Sequence, residues 1–357
     1  MQHIVYHGNH NFEFIILHFE LTCKPIMDNK DTDDKYMRRC IQIARNGLQT
    51  AKPNPAVGAV IVVPTADGGQ RIIGEGYTSA YGGPHAEVNA FASVKPEDEK
   101  YLPEATIYVS LEPCSHWGHT PPCCDLIIRK GVKRVVCGCV DPFAKVQGRG
   151  IKRIREAGID VTVGVLEKEC IESNKRFFTF NTKQRPYIIL KWAQSWDGFI
   201  DDHGHPTALS TPFTQSLVHK LRAENDAILV GKTTALRDDP QLTVRSWSGQ
   251  NPIRIILTKD TDFANEFLKS HPEGWLCFPT IDETLAFLYN NSKQSLIVEG
   301  GAATINSFLS ADKWDEIRVE TSPRIVADGT KAPKLPAGVV EVSRREYDGN
   351  TIATYTR

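Results

Sequence analysis

The chain has 357 residues, with 42 lysines and arginines against 43 aspartates and glutamates; at ~150 residues per domain this length accommodates about two domains, each able to bury its own core. So even a balance provides no basic field for a polyanion such as tRNA or DNA. Nine cysteines, an odd number with Cys123 and Cys124 adjacent, argue against a disulfide framework and for a reducing cytoplasm.

Residues 12–19 form an apolar run broken by Glu13 and His18, too short and too polar to cross a bilayer or direct export. Residues 1–26 are expected to be an extension, disordered or arising from a start-site artefact, with Met27 as the start. Met37, Cys40, Ile41, Ala44 and Leu48 recur at helical spacing, which predicts a helix over 34–48. Strands over 56–63 and 71–75, joined by Asp67-Gly68-Gly69, read as a hairpin. A helix over 85–93 follows Pro84 and places His85 and Glu87 in its first turn, where the helix dipole favours an anion. A strand over 106–111 then delivers Pro113-Cys114, followed by helix 123–130, strand 134–139, helix 150–157 and strand 160–164. This alternation predicts an α/β sandwich with its site at strand ends.

At 175–186 the alternation stops, and Arg185-Pro186 blocks helix continuation, marking a linker. Strands over 187–192, 227–231, 253–258 and 295–299 and a helix over 211–224 make a second α/β unit. Gly300-Gly301-Ala302-Ala303-Thr304 leads from the last strand into a helix, a possible seat for a dinucleotide phosphate, although small residues there also serve close packing. Gly231-Lys232-Thr233 is not a P-loop, because the glycine required five residues earlier is Asp226; turn and packing roles suit it better.

The chemistry concentrates in His85-Ala86-Glu87, Pro113-Cys114 and Cys123. One imidazole and two thiolates would hold zinc with a fourth position open to water, and Glu87, not a ligand, would move that water's proton. A structural zinc site normally has four protein ligands, and Cys124 could supply the fourth only by strained binding beside Cys123. Such a site has no use for a carboxylate two residues from its histidine, whereas hydrolytic deamination needs one.

These motifs resemble the bifunctional riboflavin-biosynthesis family that joins a pyrimidine deaminase to a reductase. The likeness runs over 34–357 through Pro53-Asn54-Pro55-Ala56-Val57-Gly58, Gly74-Glu75-Gly76-Tyr77, Leu111-Glu112-Pro113-Cys114-Ser115-His116, Thr120-Pro121-Pro122-Cys123-Cys124, Asp141-Pro142 and Val146-Gln147-Gly148-Arg149-Gly150. In the second half it is carried by Lys191, Ser195, Asp197, Gly198, Arg222-Ala223, Thr234, Asp238-Asp239-Pro240, Leu242-Thr243-Val244-Arg245 and Glu299 to Thr304. Eight residues separate Cys114 from Cys123, whereas nucleoside and tRNA deaminases carry P-C-x-x-C.

The resemblance implies a cytidine-deaminase-like three-layer α/β/α domain over 27–174, a linker over 175–186 and a dihydrofolate-reductase-like α/β domain over 187–357. It implies zinc on His85, Cys114 and Cys123, catalysis by Glu87, and NADPH as the second cofactor. Asn54 and His116 would orient the ring; Lys191, Arg222, Leu242, Arg245 and Glu299 would meet the reductase substrate, the arginines at its phosphate and Glu299 at sugar hydroxyls. Ala193, Thr234, Asp238, Gly301, Ala302, Ala303 and Thr304 would meet the cofactor. The expected partner is a small phosphorylated pyrimidine, not nucleic acid or membrane, in a cytoplasmic homo-oligomer.

Thr78 stands where the family usually has histidine, and His119 where it has lysine or arginine. If His119 meets phosphate, substrate affinity should fall as pH rises past its ordinary pKa near ~6.5. Gly204 to Leu209 and Thr258-Lys259 also depart from the family, and a reductase half kept for assembly is one alternative. An editing deaminase would need a basic groove or stacking platform, and a zinc-stabilised binding module would not need Glu87.

Overall fold

The computed structural model describes residues 29–117, 121–143, 147–205 and 207–357. The expected extension, Met27, His119, Val146 and Pro206 lie outside them. Helix α1 (Asn29–Ala44) starts earlier than expected because its polar first turns have buried partners: Asp33 accepts from Tyr108 Oη at 2.9 Å and from both Arg134 Nη atoms at 2.9 and 2.8 Å. The first sheet has the order β2-β1-β3-β4-β5, from β1 (Gly58–Pro64), β2 (Gln70–Tyr77), β3 (Thr106–Val109), β4 (Arg134–Cys137) and β5 (Asp160–Val163). β1 is antiparallel to β2 and β3, whereas β3, β4 and β5 are parallel.

Glycines set how closely helices approach this sheet. A Cβ on Gly58 would lie 2.0 Å from the Cys40 carbonyl oxygen of α1; one on Gly76 would lie 2.5 Å from that of Ala86 in α2 (Ala86–Ala92). Gly76 pairs with Ala59, next to Gly58 on β1, so the two helices cover opposite faces. Helix α2 touches α3 (Cys123–Lys130), which touches α4 (Arg149–Glu156), while α5 (Glu167–Ser173) joins α1. These are the expected three layers.

The segment expected as a linker is mostly helix, α6 (Lys175–Lys183), which ends with Gln184 in the left-handed region just before Arg185-Pro186. It is helical because it has apolar partners on two sides: Phe177 and Phe178 pack on the first core, and the Phe180 ring lies 4.7 Å from Tyr289 of the second unit.

That second unit is built on a mixed sheet of order β12-β13-β11-β6-β10-β7-β8-β9. Its strands are β6 (Tyr187–Gln194), β7 (Ala227–Gly231), β8 (Ile253–Leu257), β9 (Trp275–Phe278), β10 (Ser295–Val298), β11 (Glu316–Thr321), β12 (Val340–Tyr347) and β13 (Asn350–Thr356). β11 through β9 run parallel, and β12 and β13 close one edge antiparallel. Helices α7 (Pro212–Glu224), α8 (Lys232–Asp238), α9 (Thr261–Ser270), α10 (Ile281–Asn290) and α11 (Ala302–Ser310) connect the strands. Both faces are covered, so β6 alternates between two cores: Ile188, Leu190 and Trp192 pack with Leu296 and Val298, and Tyr187 and Ile189 with Ile228 and Ile297. The arrangement is the expected second α/β unit. β6 reverses the strand order between β10 and β11, and a crevice opens where such sheets bind ligands.

Candidate active sites

His85 is the extended residue capping α2, Cys114 follows β3, and Cys123 opens α3, so three neighbouring element ends meet. The ligand atoms of His85, Cys114 and Cys123 all lie within 4.8 Å of one another. His85 Nδ1 is 3.6 Å from Cys114 Sγ and 3.4 Å from Cys123 Sγ. Zinc bonded at ~2.0–2.1 Å to nitrogen and ~2.3 Å to sulfur, in tetrahedral geometry, places such atoms about 3.5 Å apart, so the donor set fits the ion. Hydrogen bonds from Cys123 and then His85 hold the Cys114 thiol down to about 4, while the same pairing pushes Cys123 up. The bond to Cys114 also raises His85.

Glu87, in the first turn of α2, is 4% exposed. Loss of hydration, and then the Cys114 charge, push its carboxyl up to about 7. A group poised there gives and takes a proton near neutral pH. Sequence reasoning overlooked Glu112, which accepts from the N–H groups of Gly148 at 2.8 Å, Gly150 at 3.0 Å, Asp141 at 3.3 Å and Ile151 at 3.4 Å. It thereby ties the loop before α4 to the Cys114 turn, and Gly150 passes so close that a Cβ would sit 2.0 Å from the Pro113 carbonyl oxygen.

His85, Glu87, Glu112 and Cys114 border a cavity of about 470 Å³ that also takes in Asn54, His116 and Asp141, whose carboxyl burial pushes up to about 6. Thr78 also borders it, with a hydroxyl that accepts from Val57 N at 2.9 Å. One wall was not foreseen: Phe177, Phe180 and Asn181 come from α6, and Ser292 and Gln294 from the second unit.

The second crevice, about 490 Å³, is bordered by Lys191, Ala193, Arg222, Thr234, Asp238, Arg245, Glu299 and Gly301 among the expected residues. His219, also unforeseen, lines it, and its Nδ1 accepts from Arg245 N at 3.3 Å. Arg222 Nη2 donates to Glu299 Oε2 at 2.7 Å and Nη1 to the Thr243 carbonyl at 3.4 Å, so its fork is largely committed. Burial would raise the Glu299 carboxyl, but Arg222 and then Lys191 hold it below its ordinary value. Arg222 Nε and Glu299 Oε1 are buried without a hydrogen-bond partner, an opening that polar ligand groups would fill.

Leu242 does not border this crevice; its side chain is 4% exposed in the core with Ile228 and Ile256. Ala302, Ala303 and Thr304 begin α11 just behind Gly301. A Cβ on Gly231 would lie 2.2 Å from Thr304 Oγ1, so close packing explains that glycine. Gly301 N donates to Thr234 Oγ1 at 3.1 Å, and the turn opens on the crevice at a helix N-terminus, which fits a cofactor phosphate. Ser195, Asp197 and Gly198 stand apart: Ser195 Oγ donates to Asp197, which accepts from Val326 N and Ala327 N, bracing a turn. Lys259 is exposed and Thr258 Oγ1 accepts from Asp260 N.

Comparison with known proteins covers both units. Residues 30–139 match the cytidine and deoxycytidylate deaminase zinc-binding region, and residues 186–339 match the RibD C-terminal domain. The riboflavin biosynthesis protein RibD of Aquifex aeolicus is 37% identical over 88% of this chain and 93% of its own length. That of Escherichia coli is 35% identical over 84% and 90%. A crystal structure of a diaminohydroxyphosphoribosylaminopyrimidine deaminase/5-amino-6-(5-phosphoribosylamino)uracil reductase from Thermotoga maritima is 34% identical, with a TM-score of 0.82 over 92% of this chain and 99% of that one.

Proposed function

Because the chain belongs to the RibD family of bifunctional riboflavin-biosynthesis enzymes, we propose that it acts twice on one phosphoribosylated pyrimidine. It first hydrolyses an amino group from 2,5-diamino-6-(5-phosphoribosylamino)pyrimidin-4-one, releasing ammonia. It then reduces the ribosyl chain of 5-amino-6-(5-phosphoribosylamino)uracil to ribityl with NADPH. The single observation that carries the first step is Glu87, buried beside the His85, Cys114 and Cys123 ligand atoms.

His85, Cys114 and Cys123 would hold zinc, which when bound would supply a water nucleophilic near neutral pH. Glu87 would take one proton of the attacking water and pass it to a ring nitrogen, then take the second from the added hydroxyl as the carbonyl forms and deliver it to the departing amine, which leaves as ammonia. Asn54 and His116 orient the ring from the cavity wall. In the reductase crevice the chain's task is holding cofactor and substrate together, since hydride transfer depends mainly on orientation. With the Arg222 fork occupied, Arg245, exposed and without a side-chain hydrogen bond among the described residues, is the better phosphate contact. Glu299 Oε1 offers an acceptor to a sugar hydroxyl. Ala193, Thr234, Asp238 and residues 301–304 would hold NADPH, which would supply the hydride.

The near-neutral charge supports a small substrate over nucleic acid, and among the described residues no helix is long and apolar enough to cross a membrane. We place the enzyme in the cytoplasm as a homo-oligomer, for which the exposed edge strand β12 with Val340 and Val342 offers a surface. Supplying each intermediate separately tests the reading. Ammonia release should stop on zinc chelation while NADPH oxidation continues; failure of the protein to use either intermediate refutes the corresponding step.

A further inference from the structure

Asn54 lies in a loop with no strand or helix of its own, between the end of the first helical segment and β1. On its β1 side, Asn174 grips the loop by accepting from Ala56 N and donating to Ala56 O, both at 2.9 Å. On the other side, beside a local bond from Asn54 N to the Ala51 carbonyl at 2.9 Å, three ties come from the reductase unit. Lys52 Nζ donates to Asp226 Oδ1 at 3.0 Å and to the Glu224 carbonyl at 2.9 Å. Gln294 Nε2 donates to the Pro53 carbonyl at 2.7 Å. A carbonyl only accepts, so the amide nitrogen must be the atom facing it.

The two ties share one anchor. Asp226 Oδ2 accepts from Gln294 N at 2.8 Å and from Ser295 Oγ at 3.0 Å, so the carboxylate that holds Lys52 also sets the backbone presenting Gln294. Gln294 is 4% exposed and borders the deaminase cavity, on the same wall as Ser292. A ring-binding group must be held within about 0.5 Å of its productive place to be effective. Here the side-chain ties on one side of Asn54 run to a different domain from the chemistry.

We propose that Gln294 is a positioning residue for deamination, fixing Asn54 through the Pro53 carbonyl, so that the reductase domain completes the deaminase site. This rests on the two-step function proposed above. Without the tie, the loop must be ordered anew each time substrate binds, which weakens binding while leaving Glu87 and the metal ligands in place. A role limited to holding the domains together would instead lower the folded fraction and reduce both activities.

Gln294→Glu, which keeps the side-chain length but removes the donor, and Gln294→Ala test this in the full-length protein with zinc. Deaminase KM should rise about threefold to tenfold, the loss of one net hydrogen bond. Deaminase kcat, zinc content per chain and the reductase kcat/KM, measured with its own deaminated substrate, should stay near wild-type values. An unchanged deaminase KM in both variants overturns the proposal, as does a parallel fall of the two activities. Ammonia release by the wild-type protein, measured alongside, reports separately on the two-step function.

Discussion

Glu112 shows how much of the zinc pocket depends on backbone anchoring. Its carboxylate satisfies four backbone N–H groups at 2.8–3.4 Å, in the loop before α4 and its first turn, 29 to 39 residues further along the chain. Replacing it by alanine leaves buried donors unpaired, so Glu112→Ala should lose about 2–4 kcal/mol of stability in denaturant titrations and bind zinc less tightly. An unchanged midpoint would show that water replaces the carboxylate. The zinc ligands and Glu87 were readable from the chain because their spacing is itself the signal. Glu112 was quoted within the same motif without a role, since its partners are distant in sequence. Arg222 shows the opposite limit: the sequence offers it as a cation for phosphate but cannot show its pairing with Glu299 across 77 positions.

Among the elements, those with strong local signals emerged as expected: α3 and β7 match their predicted spans, and the β1–β2 hairpin differs only at its ends. β12 carried no usable period because seven of its eight residues are exposed, and four-residue β9 is too short to show one. α6 reads as a linker in the sequence because its apolar residues serve two different surfaces, so no single stripe emerges. Its attachment to the second unit is electrostatic as well as aromatic. Asp315 accepts from Lys183 Nζ at 2.8 Å, from Arg185 and from Ile188 N at 2.9 Å. Burial would raise this carboxyl, but the bonds from Arg185 and Lys183 hold it below its ordinary 3.8. A depressed folded-state pKa gives stability that is present above the unfolded value and lost as pH falls through the folded one. Asp315→Asn should therefore lower Tm at pH 6, by an amount corresponding to roughly 2 kcal/mol, with the gap to wild type closing toward pH 3. A gap constant with pH would contradict the assignment.

The whole molecule combines two α/β units whose cavities are bordered by different residues, yet the first cavity borrows a wall from the second unit. The domain pair was legible from motifs within each half. The shared wall was not, because it joins Pro53 to Gln294 across 241 positions, and no local pattern reports such a contact. The separation of the two chemistries is the central claim, and Glu87→Gln tests it most directly. The substitution retains shape and the zinc ligands but removes the proton carrier. Ammonia release should fall by a factor on the order of 10² to 10⁴, with zinc content and NADPH oxidation of the deaminated substrate unchanged. Ammonia release persisting at the wild-type rate would contradict the account.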